Sequence, residues 1–102
     1  MAGLTCVRPI HPGELLKEEI EYRGISQGKV SAKMGMSYKV LNDILNERRP
    51  LTTTTAMLFE TALGVDSGLL MRMQLDYNMQ IARQDKSFAN RLNEIRKMSA
   101  ML

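Results

Sequence analysis

Four residues cut this chain into short pieces, each with the periodicity of a helix. Gly24, Gly35 and Gly64 each end an apolar-periodic run, and Pro50 stops another from continuing. Glycine accepts the left-handed conformation that closes helices, and proline lacks the amide that would extend one. Between the stops, apolar side chains recur at helical spacing. Leu15, Leu16, Ile20 and Tyr22 mark the first run, Val30 and Met34 the second, and Leu41, Ile44 and Leu45 the third. Ala56, Phe59 and Leu63 mark the fourth, and Leu69, Leu70, Met73 and Tyr77 the fifth. No stretch alternates like a strand, and no Asn-Gly or Asp-Gly pair offers a hairpin turn. The expected class is all-α.

The starts are as legible as the stops. His11-Pro12-Gly13-Glu14 opens the first helix, because proline is tolerated in a first turn and an acid there suits the helix dipole. Ser26, Ser37, Thr52 and Asp66 are natural N-caps for the next four. The second helix is expected over Gln27 to Met34, the third from Tyr38 to about Asn46, and the fourth through Leu63. Phe88, Leu92 and Ile95 continue the pattern over 83–97, either as one long bent helix with the fifth or as a sixth. Residues 1–10 read as an N-terminal arm, 11–80 as the main domain and 81–102 as a C-terminal helical extension.

At 102 residues the chain is the size of one domain, and its 44% apolar share is ample for a core. Trp is absent and nine Met are present, so that core is expected to be aliphatic with Met filling gaps. No run of ~20 apolar residues suggests a membrane span, and no basic-then-apolar start suggests a secretory leader. With Cys6 as a lone thiol, a cytoplasmic location is expected.

The net charge of +3 is modest, but it is unevenly spread. Glu14, Glu18, Glu19 and Glu21 make the first helix acidic against Lys17. Arg23, Lys29, Lys33, Lys39, Arg48 and Arg49 then face only Asp43 and Glu47. Such a basic middle is how a phosphate-contacting surface looks in a nearly balanced protein, although charge runs are commonly just solvated faces. The segment Gln27 to Ser37 meets the demands of a helix-turn-helix. Val30 is apolar, Ser31 is small where two backbones approach, Gly35 makes the turn, Met36 plugs the core and Ser37 caps the following helix. Tyr38, Lys39, Asn42, Asp43 and Asn46 are then expected on the outward face of the third helix. Asn pairs with adenine, Lys with guanine and Asp with cytosine at major-groove edges. Gln27, at a helix N-terminus, is placed to clamp a phosphate, and Arg48 and Arg49 are natural phosphate contacts. Gln27, Ser37, Tyr38, Lys39, Asn42, Asp43, Asn46, Arg48 and Arg49 form the candidate DNA-binding set. The competing reading is an ordinary solvated face.

Catalysis finds little support. His11 is the single histidine and Cys6 the single cysteine, so a metal site would lack further soft ligands. No glycine-rich phosphate loop occurs. No enzyme activity, metal or cofactor is expected.

Several motifs together resemble one family. They are His11 through Glu19 (HPGELLKEE), Ile25-Ser26-Gln27, Leu41 through Arg49 (LNDILNERR), Leu51-Thr52 with Ala56, Ala62 through Val65 (ALGV), and Gln74 through Tyr77 (QLDY). The chain resembles the Xre/Cro helix-turn-helix superfamily, and within it the HigA (VapI-type) antitoxins, over roughly His11 to Gln80. The resemblance implies a lambda-repressor-like five-helix bundle. It also implies a homodimer that represses its own operon on a palindromic operator in double-stranded DNA, and that silences a RelE-like, mRNA-cleaving ribonuclease toxin. This copy departs from the pattern at Ser31 (usually Ala), Gly28 inside a helix, Glu47 (commonly Gly), Leu58 (commonly Arg) and Leu70 (usually Trp). Two other functions stay open at this point: a free-standing Xre-type repressor without a toxin partner, and a protein-interaction module. The face bearing Glu14, Glu18 and Glu21 would suit a basic toxin, or would simply keep its helix soluble and turn DNA away.

Overall fold

The computed structural model describes residues 8–101. Most of the expected arm, Cys6 included, lies outside the described residues. Six helices follow in order: α1 (Pro12–Tyr22), α2 (Gln27–Met34), α3 (Tyr38–Leu45), α4 (Thr53–Leu63), α5 (Ser67–Gln84) and α6 (Lys86–Ser99). No strand occurs among the described residues, so the fold is all-α.

Three of the connections are built the same way. Gly24, Gly35 and Gly64 take left-handed φ values of 66°, 67° and 75°. Each is followed by a half-buried apolar residue (Ile25, Met36, Val65) that packs on the core. An N-cap comes next, and its side chain accepts the amide three residues on. Ser26 Oγ takes Lys29 N at 3.1 Å, Ser37 Oγ takes Val40 N at 3.1 Å, and an Asp66 carboxylate oxygen takes Leu69 N at 2.8 Å. One helix is therefore closed, anchored and restarted within three residues.

The passage from α3 to α4 differs. Glu47 occupies the left-handed position with φ 64°, the one described non-glycine residue with positive φ. Its amide reaches the Ile44 carbonyl, and the Arg48 amide reaches that of Asp43 at 2.8 Å. That pairing is a Schellman closure with glutamate where glycine is usual. Beyond Pro50, Leu51 turns into the core, and its amide donates to Gln74 Oε1 at 2.7 Å. Gln74 on α5 is thus a buried polar residue that satisfies a loop amide.

The core joins Leu16, Ile20, Val30, Met34, Leu41, Ile44, Leu45, Leu51, Ala56, Phe59, Leu63 and Leu70. Of the other expected members, Leu15, Met73 and Tyr77 are half-buried and two are exposed. Tyr22 is 89% exposed, because two residues beyond Ile20 is about 200° further round the helix. Leu69 is exposed as well, leaving Leu70 and Gln74 as the buried pair of α5. Where α1 crosses α3, a Cβ on Gly13 would collide with the carbonyl oxygen of Ile44.

α5 runs without a break through residue 80 to Gln84. Asp85 is extended and caps α6 by accepting Phe88 N at 3.1 Å, so the C-terminal pattern is a separate sixth helix. α6 packs on α5 and buries none of its residues, leaving Phe88, Leu92, Ile95 and Met98 exposed.

Candidate nucleic-acid interface

α2 and α3 pack against each other around the Gly35 turn. Ser31 is buried there, and its hydroxyl donates to the Gly28 carbonyl at 3.0 Å, so a small side chain lies at the approach without a lost hydrogen bond. α3 then divides cleanly. Leu41, Ile44 and Leu45 enter the core, Tyr38 and Lys39 stand in solvent, and Asn42 and Asn46 are half-buried.

Asp43 does not share that outward face. It is 8% exposed, since one residue before Ile44 it lies under the returning segment of Arg48 and Arg49. The Schellman closure at Glu47 brings those arginines back over the end of α3. Arg48 Nε donates to Asp43 Oδ1 at 3.1 Å, and Lys39 Nζ to Asp43 Oδ2 at 3.2 Å. An Arg49 terminal nitrogen stands 3.8 Å from Oδ2. The hydrogen bond from Lys39, followed by that from Arg48, holds the Asp43 carboxyl below its usual range despite its partial burial. An acceptor for cytosine, as expected from the residue type, would need this carboxylate free.

The network extends to α2. Arg48 Nη2 donates to Asn42 Oδ1 at 2.8 Å, and Asn42 Nδ2 donates to Gln27 Oε1 at 3.0 Å. Asn46 Nδ2 donates to the Asn42 carbonyl, while its Oδ1 accepts from Lys17 at 3.1 Å. The structure thus brings Gln27, Lys39, Asn42, Asp43, Arg48 and Arg49 together in one connected patch. Ser37 and Tyr38 sit at its edge, at the start of α3. Asn46 faces α1 through Lys17 instead. Sequence reasoning missed the coupling among these side chains. Its one available signal was the i to i+4 spacing of Lys39 and Asp43.

The acidic side of α1 is only partly free. Arg8 makes a two-pronged ion pair with Glu14, which lowers the Glu14 pKa, and Arg23 pairs with Glu19 at 2.9 Å. Glu18 and Glu21 are exposed. Among the described residues, no helix is long and apolar enough to cross a membrane.

Comparison with known proteins agrees with this architecture. The family described as helix-turn-helix matches residues 16–70. Virulence-associated protein I of Dichelobacter nodosus is 33% identical over 90 residues, covering 87% of this chain and 83% of that protein. A HigA-family addiction module antidote protein from Coxiella burnetii superposes with a TM-score of 0.75 at 26% identity, covering 86% of this chain and 95% of that one. The Pseudomonas aeruginosa antitoxin HigA, solved with the higBA promoter, gives 0.72 at 27% identity, covering 86% and 91%. The chain belongs to the helix-turn-helix family, and over most of its length it is similar to HigA-type antitoxins.

Proposed function

We propose that this chain is a sequence-specific DNA-binding repressor that lays α3 in the major groove of a palindromic operator. The observation that carries the reading is the single patch in which Gln27, Lys39, Asn42, Arg48 and Arg49 converge beside the N-terminal half of α3. The first turns of a recognition helix meet base edges, while flanking cations and helix N-terminal amides hold phosphates. Tyr38, Lys39 and Asn42 are the readers in this account, with Gln27, Arg48 and Arg49 as clamps. A HigA neighbour was solved with its promoter, which supports DNA binding as the role. Residues 11–80 would carry DNA binding, and the extension over 81–102 would help pair two copies through the apolar sides of α5 and α6.

By the same likeness, the protein is the antitoxin of a HigB/HigA-type pair and silences an RNA-cleaving toxin of RelE type. The exposed Glu18 and Glu21, beside Glu14, suit a basic partner. The whole would act in the cytoplasm, at the nucleoid when on its operator. Footprinting on the DNA upstream of the gene tests the first part, where two protected half-sites about one turn apart are expected and uniform protection contradicts it. Co-expression with the neighbouring small protein tests the second. Growth rescue supports an antitoxin, and its absence favours a free-standing repressor.

A further inference from the structure

One carboxylate in the DNA-facing patch gathers three cations. Asp43 takes Lys39 on Oδ2 and Arg48 on Oδ1, with Arg49 close by, and its side chain is only 12% exposed. This neutralises part of the positive charge that would otherwise meet phosphates.

The hydrogen bonds also have a fixed polarity. A guanidinium can only donate, so the Asn42 atom facing Arg48 must be its oxygen. The Asn42 amide nitrogen is then left for Gln27, whose Oε1 accepts it. Each of these two amide oxygens already accepts one bond inside the protein. What these side chains keep unengaged among the described residues is chiefly donors: Gln27 Nε2, the second Asn42 amide hydrogen, the remaining Lys39 hydrogens and the outer guanidinium nitrogens. Pairing with both polar groups of adenine would ask the Asn42 oxygen, already held by Arg48, to accept a second bond. Guanine, with N7 and O6 both acceptors, matches a donor-rich face.

We infer that Asp43 is a positioning residue that sets DNA specificity: it aims Lys39 at acceptor-rich base edges and fixes where Arg48 clamps, instead of leaving both to indiscriminate phosphate contact. This rests on the DNA-reading role proposed above.

The test is Asp43→Asn, which keeps shape and removes charge. Affinity would be measured by fluorescence anisotropy against the footprinted duplex and a scrambled duplex of equal length, across a salt series. For the variant, affinity on the scrambled duplex should rise about five- to tenfold near 0.1 M salt, with a log–log salt slope steeper by about one. Its ratio of specific to non-specific affinity should fall at least fivefold. An unchanged ratio and slope in a variant that still binds would overturn the inference and leave the DNA-reading role standing. Loss of both affinities in a folded variant would overturn it too, because it makes Asp43 indispensable to binding itself. Wild-type protein that binds the two duplexes equally would sink the DNA-reading role, and this inference with it. Should the Asn variant lose its helical circular dichroism, Asp43→Glu carries the test. It keeps the charge but displaces the carboxylate, so discrimination should fall at an unchanged salt slope, and retained discrimination contradicts the assignment.

Discussion

The imidazole of His11 stands edge-on to the ring of Tyr77, with centroids 4.9 Å apart and planes at 80°. This contact ties the first turn of α1 to the middle of α5. The His11 Nδ1 accepts the Gly13 amide at 2.9 Å, so the buried ring caps α1 only while that nitrogen is unprotonated. Burial lowers the His11 pKa, although the Glu47 carboxylate and the Arg49 backbone pull the other way.

A pH dependence follows from that lowered value. The folded state resists protonation, so the stabilisation is complete above the unfolded histidine pKa near 6.5. It is lost as pH falls from there through the lowered folded value. Thermal midpoints should drop between pH 7.5 and 5.5. In His11→Asn, which retains a capping oxygen, that drop should flatten, and the variant should lose about 1 kcal/mol at pH 7.5 with the aromatic contact. Parallel pH profiles for the two proteins would refute the assignment.

Two glycine-to-alanine changes should have opposite signs. At Gly13 the new methyl meets the Ile44 carbonyl, and forcing α1 from α3 should cost about 3 kcal/mol, on the order of 10 °C or more in midpoint. At Gly28 an added methyl would find its nearest neighbouring atom 4.0 Å away, so alanine should add ~0.5–1 kcal/mol through helix propensity. Melts of both variants decide the matter.

Glu47→Gly should stabilise by about 1 kcal/mol, since glycine takes the left-handed φ without steric cost. Denaturant titration checks it, and a loss of stability would show that the Glu47 side chain outweighs its backbone strain.

Much of this architecture was readable because its signals are local. Gly24, Gly35 and Gly64 and the caps at Ser26, Ser37, Thr52 and Asp66 act within a few residues of themselves, so element boundaries could be placed closely. The break at Asp85 was harder, because Asp both continues a helix poorly and caps one well, and periodicity crosses the junction. Gln74 and Asp43 were not legible as buried groups. Their burial depends on partners 23 residues away for Gln74, and on the return of Arg48 and Arg49 for Asp43. Residue type alone placed Asp43 with the base readers, whereas tertiary packing gives it cations to hold.

Removing α6 should separate pairing from folding. Because α6 buries none of its residues, a chain ending at Asp85 should keep its thermal midpoint within a few degrees. Light scattering should then report about half the native mass. A native mass would move the pairing surface to the exposed Leu69, Leu75 and Met79 of α5.

The central claim is that α3 reads base sequence, and the most direct measurement is the affinity of Lys39→Ala and Asn42→Ala on the footprinted duplex against a scrambled one. Each variant should lose ~1–3 kcal/mol on the specific duplex. On the scrambled duplex, Asn42→Ala should change little. Arg48→Ala and Arg49→Ala, run alongside, should weaken binding to both duplexes and flatten the salt slope. Wild-type affinity for all four variants on the specific duplex would contradict the assignment of this face to DNA.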